Sequence, residues 1–203
     1  YEEDPHTDTF ISSMPLTIFG LDSRFEYDLN RDPENCVYKD AWGKPVWKRP
    51  LSKTILKESL QKHSNFYKVI DALIAVLEQK YNGCIVYDMH SYNYLRYKSN
   101  LPVFNLGTIN INQKKFGSTI DFWVKNLHSI KLRSVENTTE VNGPFKGNGY
   151  FLKHITKNFI NTLVLATEVK KIYCDELNGN DYPLVINDLE EEFKRIILKT
   201  SYF

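Results

Sequence analysis

Cys84-Ile85-Val86-Tyr87-Asp88-Met89-His90-Ser91-Tyr92 is a short apolar run that ends in an acid, a histidine and a serine. It follows Gly83 directly, carries β-branched Ile85 and Val86, and has too few apolar residues for a helix, so it predicts a central strand of a covered sheet. Asp88 and His90 then fall where the strand runs out. In open α/β sheets that carboxyl end is where ligands bind, because loops converge there on a rigid base. A lone histidine is more often a satisfied core residue than a ligand. Here an acid two positions earlier can orient the ring or share a cation with it, which makes His90 the first candidate functional residue.

Working outward, the 203 residues and their 42% apolar content can bury one substantial core, so a single domain over 1–203 is expected. Lys and Arg total 26 against 25 Asp and Glu, a formal charge of +1, which disfavours a basic-patch nucleic-acid binder. No window reaches the apolar length of a membrane span and no signal-peptide pattern opens the chain, so no membrane partner is expected. Cys36, Cys84 and Cys174 are scattered and lack metal-type spacing. They suit a reducing compartment, and the cytoplasm is the expected location.

The chain opens without a methionine on Tyr1-Glu2-Glu3-Asp4-Pro5-His6-Thr7-Asp8, which suggests a truncated start or an upstream segment. Its acids and histidine read either as a solvated terminus or as metal ligands. Leu16–Phe19 and Phe25–Leu29 predict extended pieces, the second leading into Asn30-Arg31-Asp32-Pro33. Residues 41–50, with Trp42, Gly43, Trp47 and two prolines, read as a loop with aromatic anchors. Ser52 caps a long helix whose apolar positions run from Ile55 to Leu77 at three- and four-residue spacing, with His63 on its surface.

Beyond the strand, Pro102–Thr108 predicts a second short strand and Phe116–Leu127 an amphipathic helix. Gly143–Tyr150 is glycine-rich with one lysine, Lys146, and reads as an ordinary turn or a weak anion cradle. Asn161–Ala166 predicts a buried strand running through Thr167 into Glu168, a placement that is costly unless the glutamate has a partner or a task. Asn187 caps a last helix. Strand-like and helix-like segments interleave, which argues for an α/β layered domain.

Four of these strand ends present polar residues: Asp28-Leu29-Asn30-Arg31, Asp88-Met89-His90-Ser91, Phe104-Asn105-Leu106-Gly107-Thr108 and Thr167-Glu168-Val169. In this order, with Phe145-Lys146-Gly147, Gly149-Tyr150, His154 and Tyr173-Cys174-Asp175-Glu176, they resemble the N-formylglutamate amidohydrolase family from about Glu3 to Glu176. The resemblance implies a three-layer sandwich with a mixed, mostly parallel central sheet between helices, akin to zinc peptidases and phosphorylase/hydrolase folds. It also implies zinc or another divalent metal, and a small-molecule or peptide substrate with a carboxylate, cleaved at an N-acyl or peptide-terminal amide. Residue by residue, it implies His90 as a metal ligand with an acid from Glu3 or Asp4, Asp4 being favoured. Glu168 becomes the general base, and Asn30, Arg31, Asn105, Lys146 and His154 line the substrate site.

The family's first metal ligand, a histidine upstream of the acidic pair, has no counterpart in this sequence. Zinc with an open position lowers the pKa of bound water from about 15.7 to about 7, and a glutamate can relay that water's proton to the leaving amine. Arginine grips a carboxylate with two parallel donors, which favours Arg31 for specificity. Its spacing equally allows an ion pair with Asp28 or Asp32. Against the enzyme stands a second reading, a domain that keeps the hydrolase fold and binds a ligand or partner without catalysis.

Overall fold

The computed structural model describes residues 3–133 and 135–201. In chain order it contains a 3-10 turn (Thr9–Ile11), strands β1 (Asp40–Ala41) and β2 (Lys44–Pro45), helix α1 (Lys53–Tyr81), strands β3 (Cys84–Tyr92) and β4 (Phe104–Gly107), helix α2 (Gln113–His128), strand β5 (Thr139–Val141), helix α3 (Tyr150–Asn158), strand β6 (Thr162–Lys170) and helix α4 (Pro183–Ser201). The architecture is α/β with a mixed sheet flanked by helices, as expected. Two compact units make it up, one of Tyr1–Phe19, Ile85–Asn148 and Leu163–Phe203, the other of Gly20–Cys84 and Gly149–Thr162. No described helix is long and apolar enough to cross a membrane.

The first unit is built on a sheet of order β3-β6-β4-β5, in which β4 runs parallel to β5 and antiparallel to β6. β4 is buried throughout, and β6 is buried from Thr162 to Thr167. Strands covered on both faces need largely apolar runs: β6 carries one at Leu163–Ala166, while β4 interrupts its own with the buried amide of Asn105. β3 forms as its sequence predicts, but it lies at one end of the sheet among the described strands instead of at its centre. Asp88 and His90 also fall inside β3, before its last residue. An apolar β-branched run announces a strand; it carries no information about which neighbours that strand will pair with.

Trp123 of α2 is fully buried, against Tyr87 of β3 and Phe193 of α4. Its indole N–H donates to Thr167 Oγ1 at 3.1 Å, so the one polar atom of the ring is satisfied. Burying a ring of this size stabilises the unit by about 4–6 kcal/mol at roughly 25 cal/mol per Å². Phe10, on the 3-10 turn, packs between Tyr173 and Phe193 and ties the first residues of the chain to this core. Leu16–Phe19 forms no strand: it pairs with no strand among the described residues, and Leu16 and Phe19 are more than half exposed. Helix α4 starts at Pro183, ahead of the predicted Asn187 cap, with the proline in the first turn, where its missing N–H is not needed.

In the second unit Ser52 caps α1 as predicted, its side chain accepting from Ile55 N. The buried stripe of α1 is Ser59, His63, Tyr67, Ile70 and Ile74, so His63, expected on the surface, is 1% exposed. Tyr67 packs on Phe151 and His154 of α3. Phe25–Leu29 is a turn, not a strand. It is organised by the buried Asp28 carboxylate, which accepts from Arg24 at 2.7 Å and from Asn30 N at 3.0 Å. The short hairpin β1–β2 turns at Trp42 and Gly43, both at positive φ.

Candidate active site

In the first unit the acid that meets His90 is Asp4. Its Oδ2 lies 3.5 Å from His90 Nδ1, while its Oδ1 accepts from Ser91 N at 3.1 Å and from Ser91 Oγ at 3.0 Å. Glu3, the alternative, is exposed. On the other side of the imidazole, Asp88 Oδ1 stands 3.0 Å from Nε2. The approach is close but poorly directed, and Nε2 counts as a buried nitrogen without a hydrogen bond. Burial alone would push the His90 imidazole down, but the charge of Asp88 and the contacts with Asp4 and Asp88, reinforced by Glu168, outweigh it and hold the ring well above its ordinary value. One histidine among three carboxylates is a site that calls for a positive charge, whether the ring's own proton or a metal ion.

The donors fit a zinc-type ion in kind, one imidazole nitrogen and one carboxylate oxygen. They also fit in spacing. Two ligands at about 2.0–2.1 Å from one tetrahedral ion stand roughly 3.3 Å apart, and the separation of His90 Nδ1 from Asp4 Oδ2 is 3.5 Å, long for a hydrogen bond. Asp88 beside the second nitrogen matches the carboxylate–histidine pairing that fixes the orientation of metal-bound imidazoles. In number the set is short: among the described residues no group of three or more His, Cys, Asp or Glu side chains is disposed to hold a metal ion.

Glu168 lies within β6, two residues before its end, directly opposite Asn105 of β4; Glu140 of β5 faces Asn105 from the other side. Residues opposite one another across a sheet project to the same face. Glu168, Asn105 and Glu140 therefore form one polar row, and Glu140 is the member that sequence reading missed because β5 is only three residues long. Asn105 is fully buried, donating through Nδ2 to the Phe145 carbonyl at 2.7 Å and accepting at Oδ1 from Gly143 N at 3.0 Å. Its amide is thus spent on holding the glycine-rich loop. The same loop meets the end of β4 backbone to backbone. A Cβ on Gly107 would sit 2.2 Å from Gly147 N, and Gly147 itself is at φ +79°. That contact presents Lys146 as an exposed side chain.

The remaining predicted substrate residues belong to the second unit. Arg31 is about half exposed, its Nε 3.4 Å from Asp28 Oδ2 and its guanidinium stacked 4.3 Å from the Tyr38 ring centroid. Of the two ion pairs its spacing allowed, the one with Asp28 forms. Asn30 works as an external cap: its carbonyl accepts from Tyr150 N at 3.1 Å and its Oδ1 from Phe151 N at 3.2 Å, at the start of a helix whose own cap, Gly149, has no side chain. His154 pairs through Nε2 with Asp71 Oδ1 at 2.7 Å and packs edge-on to Tyr67. Buried His63 bonds the Arg31 carbonyl through Nε2 at 2.9 Å, and Tyr67 donates to the Leu29 carbonyl at 2.5 Å, so α1 fixes the turn that carries Asn30 and Arg31.

The family model for N-formylglutamate amidohydrolase matches residues 1–173. No curated protein matches the sequence. Among solved structures, the N-formylglutamate amidohydrolase of Ralstonia eutropha JMP134 superposes with a TM-score of 0.68 at 15% identity, over 88% of this chain and 74% of that one. A gene product of Agrobacterium tumefaciens gives a TM-score of 0.58 at 13% identity, over 88% of this chain and 69% of that one. These likenesses extend to the fold; the family match, spanning most of the sequence, carries the assignment. This chain belongs to the N-formylglutamate amidohydrolase family.

Proposed function

We propose that this chain is a metal-dependent amidohydrolase that cleaves the N-acyl bond of N-formylglutamate or a closely similar N-acyl amino acid. The observation that carries the reading is the meeting of Asp4, His90 and Asp88, with Glu168 near enough to act on the imidazole. Asp4 and His90 would hold the ion, most suitably zinc, and Asp88 would orient the ring. A bound divalent ion supplies Lewis acidity, polarising the scissile carbonyl and making water acidic enough to ionise near neutral pH. Glu168 takes the attacking water's proton and passes it to the amine nitrogen as the carbon–nitrogen bond breaks, leaving formate and a free amino acid. In this reading Arg31 and Lys146 are the candidates for holding the substrate's carboxylate, as the arginine fork and the lysine charge suit. The amides of Asn30 and Asn105 support those positions through the helix start and loop they hold.

One observation favours the second reading, a ligand-binding domain without catalysis: among the described residues two donors meet where a catalytic zinc takes three protein ligands. A single assay separates the two. N-formylglutamate is offered to the protein with added zinc and again after dialysis against a chelator, and formate release is measured. Turnover that needs the metal supports the amidohydrolase. Tight binding of N-formylglutamate with no formate in either condition establishes the binding domain instead.

A further inference from the structure

The acid that reaches His90 sits on no helix or strand. Asp4 opens a turned segment ahead of the 3-10 turn, and that segment is tied down by its backbone. Thr7 Oγ1 donates to the Asp4 carbonyl at 2.9 Å and Tyr173 donates to the Pro5 carbonyl at 2.8 Å. His6, in the left-handed region at φ 63°, reaches Asp181 at 2.7 Å. These contacts fix where the segment lies, but none of them sets the rotation of the Asp4 carboxylate. Ser91 does. It is buried, follows His90 directly on β3, and gives both its N–H and its hydroxyl to the same carboxylate oxygen, Oδ1. A carboxylate oxygen has two lone-pair sites, so two donors occupy Oδ1 fully. The carboxylate is then held with Oδ2 toward His90 Nδ1.

We infer that Ser91 is a positioning residue for the metal site: by occupying Oδ1 it makes Asp4 a one-oxygen ligand and aims Oδ2 at the point His90 Nδ1 also faces. The inference rests on the metal reading proposed above. It adds to that reading a residue that touches neither metal nor substrate, and a denticity for the acid. Hydrogen-bonded partners behind metal ligands are typically worth 10- to 100-fold in affinity. With the backbone N–H still in place, loss of the hydroxyl alone should cost about 10-fold within that range.

The test is zinc affinity of the full chain, measured by competition with a chromophoric chelator, for the wild type, Ser91→Ala, Ser91→Val, Ser91→Thr, Asp4→Ala and the double variant Asp4→Ala with Ser91→Ala, with the melting temperature of each zinc-free protein. Ser91→Val guards against a packing defect, since it has the shape of Ser91→Thr without the hydroxyl. Expected are about 10-fold weaker zinc binding in the Ala and Val variants and near-wild-type binding in Ser91→Thr. Removing Ser91 should have no further effect once Asp4 is already alanine. Wild-type affinity in both Ala and Val variants would overturn the role of Ser91 and leave the metal reading standing. An equal loss in the Asp4→Ala background would show that Ser91 does not act through Asp4. A wild-type protein that takes up no zinc would overturn both.

Discussion

Asn105→Asp replaces one atom of a fully buried side chain and tests how the site's loop is held. In the wild type Nδ2 donates to the Phe145 carbonyl at 2.7 Å, so an ionised oxygen in that place would face another acceptor at hydrogen-bond distance. The Phe145 carbonyl loses its donor, which costs about 1–3 kcal/mol when buried. The introduced carboxylate is also desolvated, between Glu168 and Glu140 in the same row. Together these should destabilise the protein by roughly 3–5 kcal/mol, the range for an uncompensated buried charge. For a chain of this length that corresponds to a fall in melting temperature of roughly 6–20 °C.

The loss should depend on pH, with a definite sign. Burial and two neighbouring carboxylates raise the introduced acid's folded pKa above its unfolded value of about 3.9. The folded state therefore binds the extra proton more readily, and the penalty, complete above the folded pKa, fades as pH falls through it. Once protonated, the acid can donate to Phe145 as the amide did. Denaturant titrations of wild type and variant at pH 8, 6.5 and 5 should show a difference that shrinks toward acid. A variant as stable as the wild type at pH 8, or a difference that grows on acidification, would refute this account of the Asn105 contacts.

Two further outcomes are expected. Burial lowers the His63 pKa, only partly offset by its bond to the Arg31 carbonyl. Its contribution is thus present above the unfolded value of about 6.5 and lost as pH falls toward the folded one; the stability gap between wild type and His63→Gln should narrow from pH 7 to pH 5 in thermal melts, and a widening gap would contradict it. Arg31→Ala should raise KM for N-formylglutamate by about 10-fold or more, with Arg31→Lys intermediate because lysine keeps the charge but loses the planar fork. Steady-state kinetics that leave both KM values unchanged would confine Arg31 to its contacts with Asp28 and Tyr38.

Much of the scaffold was legible in the residues because it is governed by local rules. Ser52 before a periodic apolar stretch marks the start of α1, and the runs at 84–92 and 161–166 mark β3 and β6. What stayed hidden depends on distant partners. Helix α3 begins on Gly149, which gives no capping signal, because its cap comes from Asn30 some 120 positions earlier. His63 looks like a polar residue on a helix surface until the Arg31 carbonyl arrives to satisfy it. Leu16–Phe19 has strand-like composition and pairs with no strand among the described residues.

The site divides along the same line. His90 and Glu168 were legible as polar residues on apolar strands. Asp88 was legible as a possible partner of His90 through its two-residue spacing, which puts both on one face of β3. Glu140 and the double grip of Ser91 on Asp4 follow from register and from a contact 87 residues apart, which no local pattern encodes.

The central claim, that Glu168 moves the proton at a metal-assisted amide hydrolysis, is tested most directly by Glu168→Gln. The substitution keeps the shape of the side chain and removes its ability to accept a proton. Melting temperature, zinc content and turnover of N-formylglutamate are measured on one preparation. The account predicts near-normal stability and metal content with kcat reduced by roughly 10²- to 10⁴-fold. A stable, zinc-loaded and fully active Glu168→Gln would contradict it.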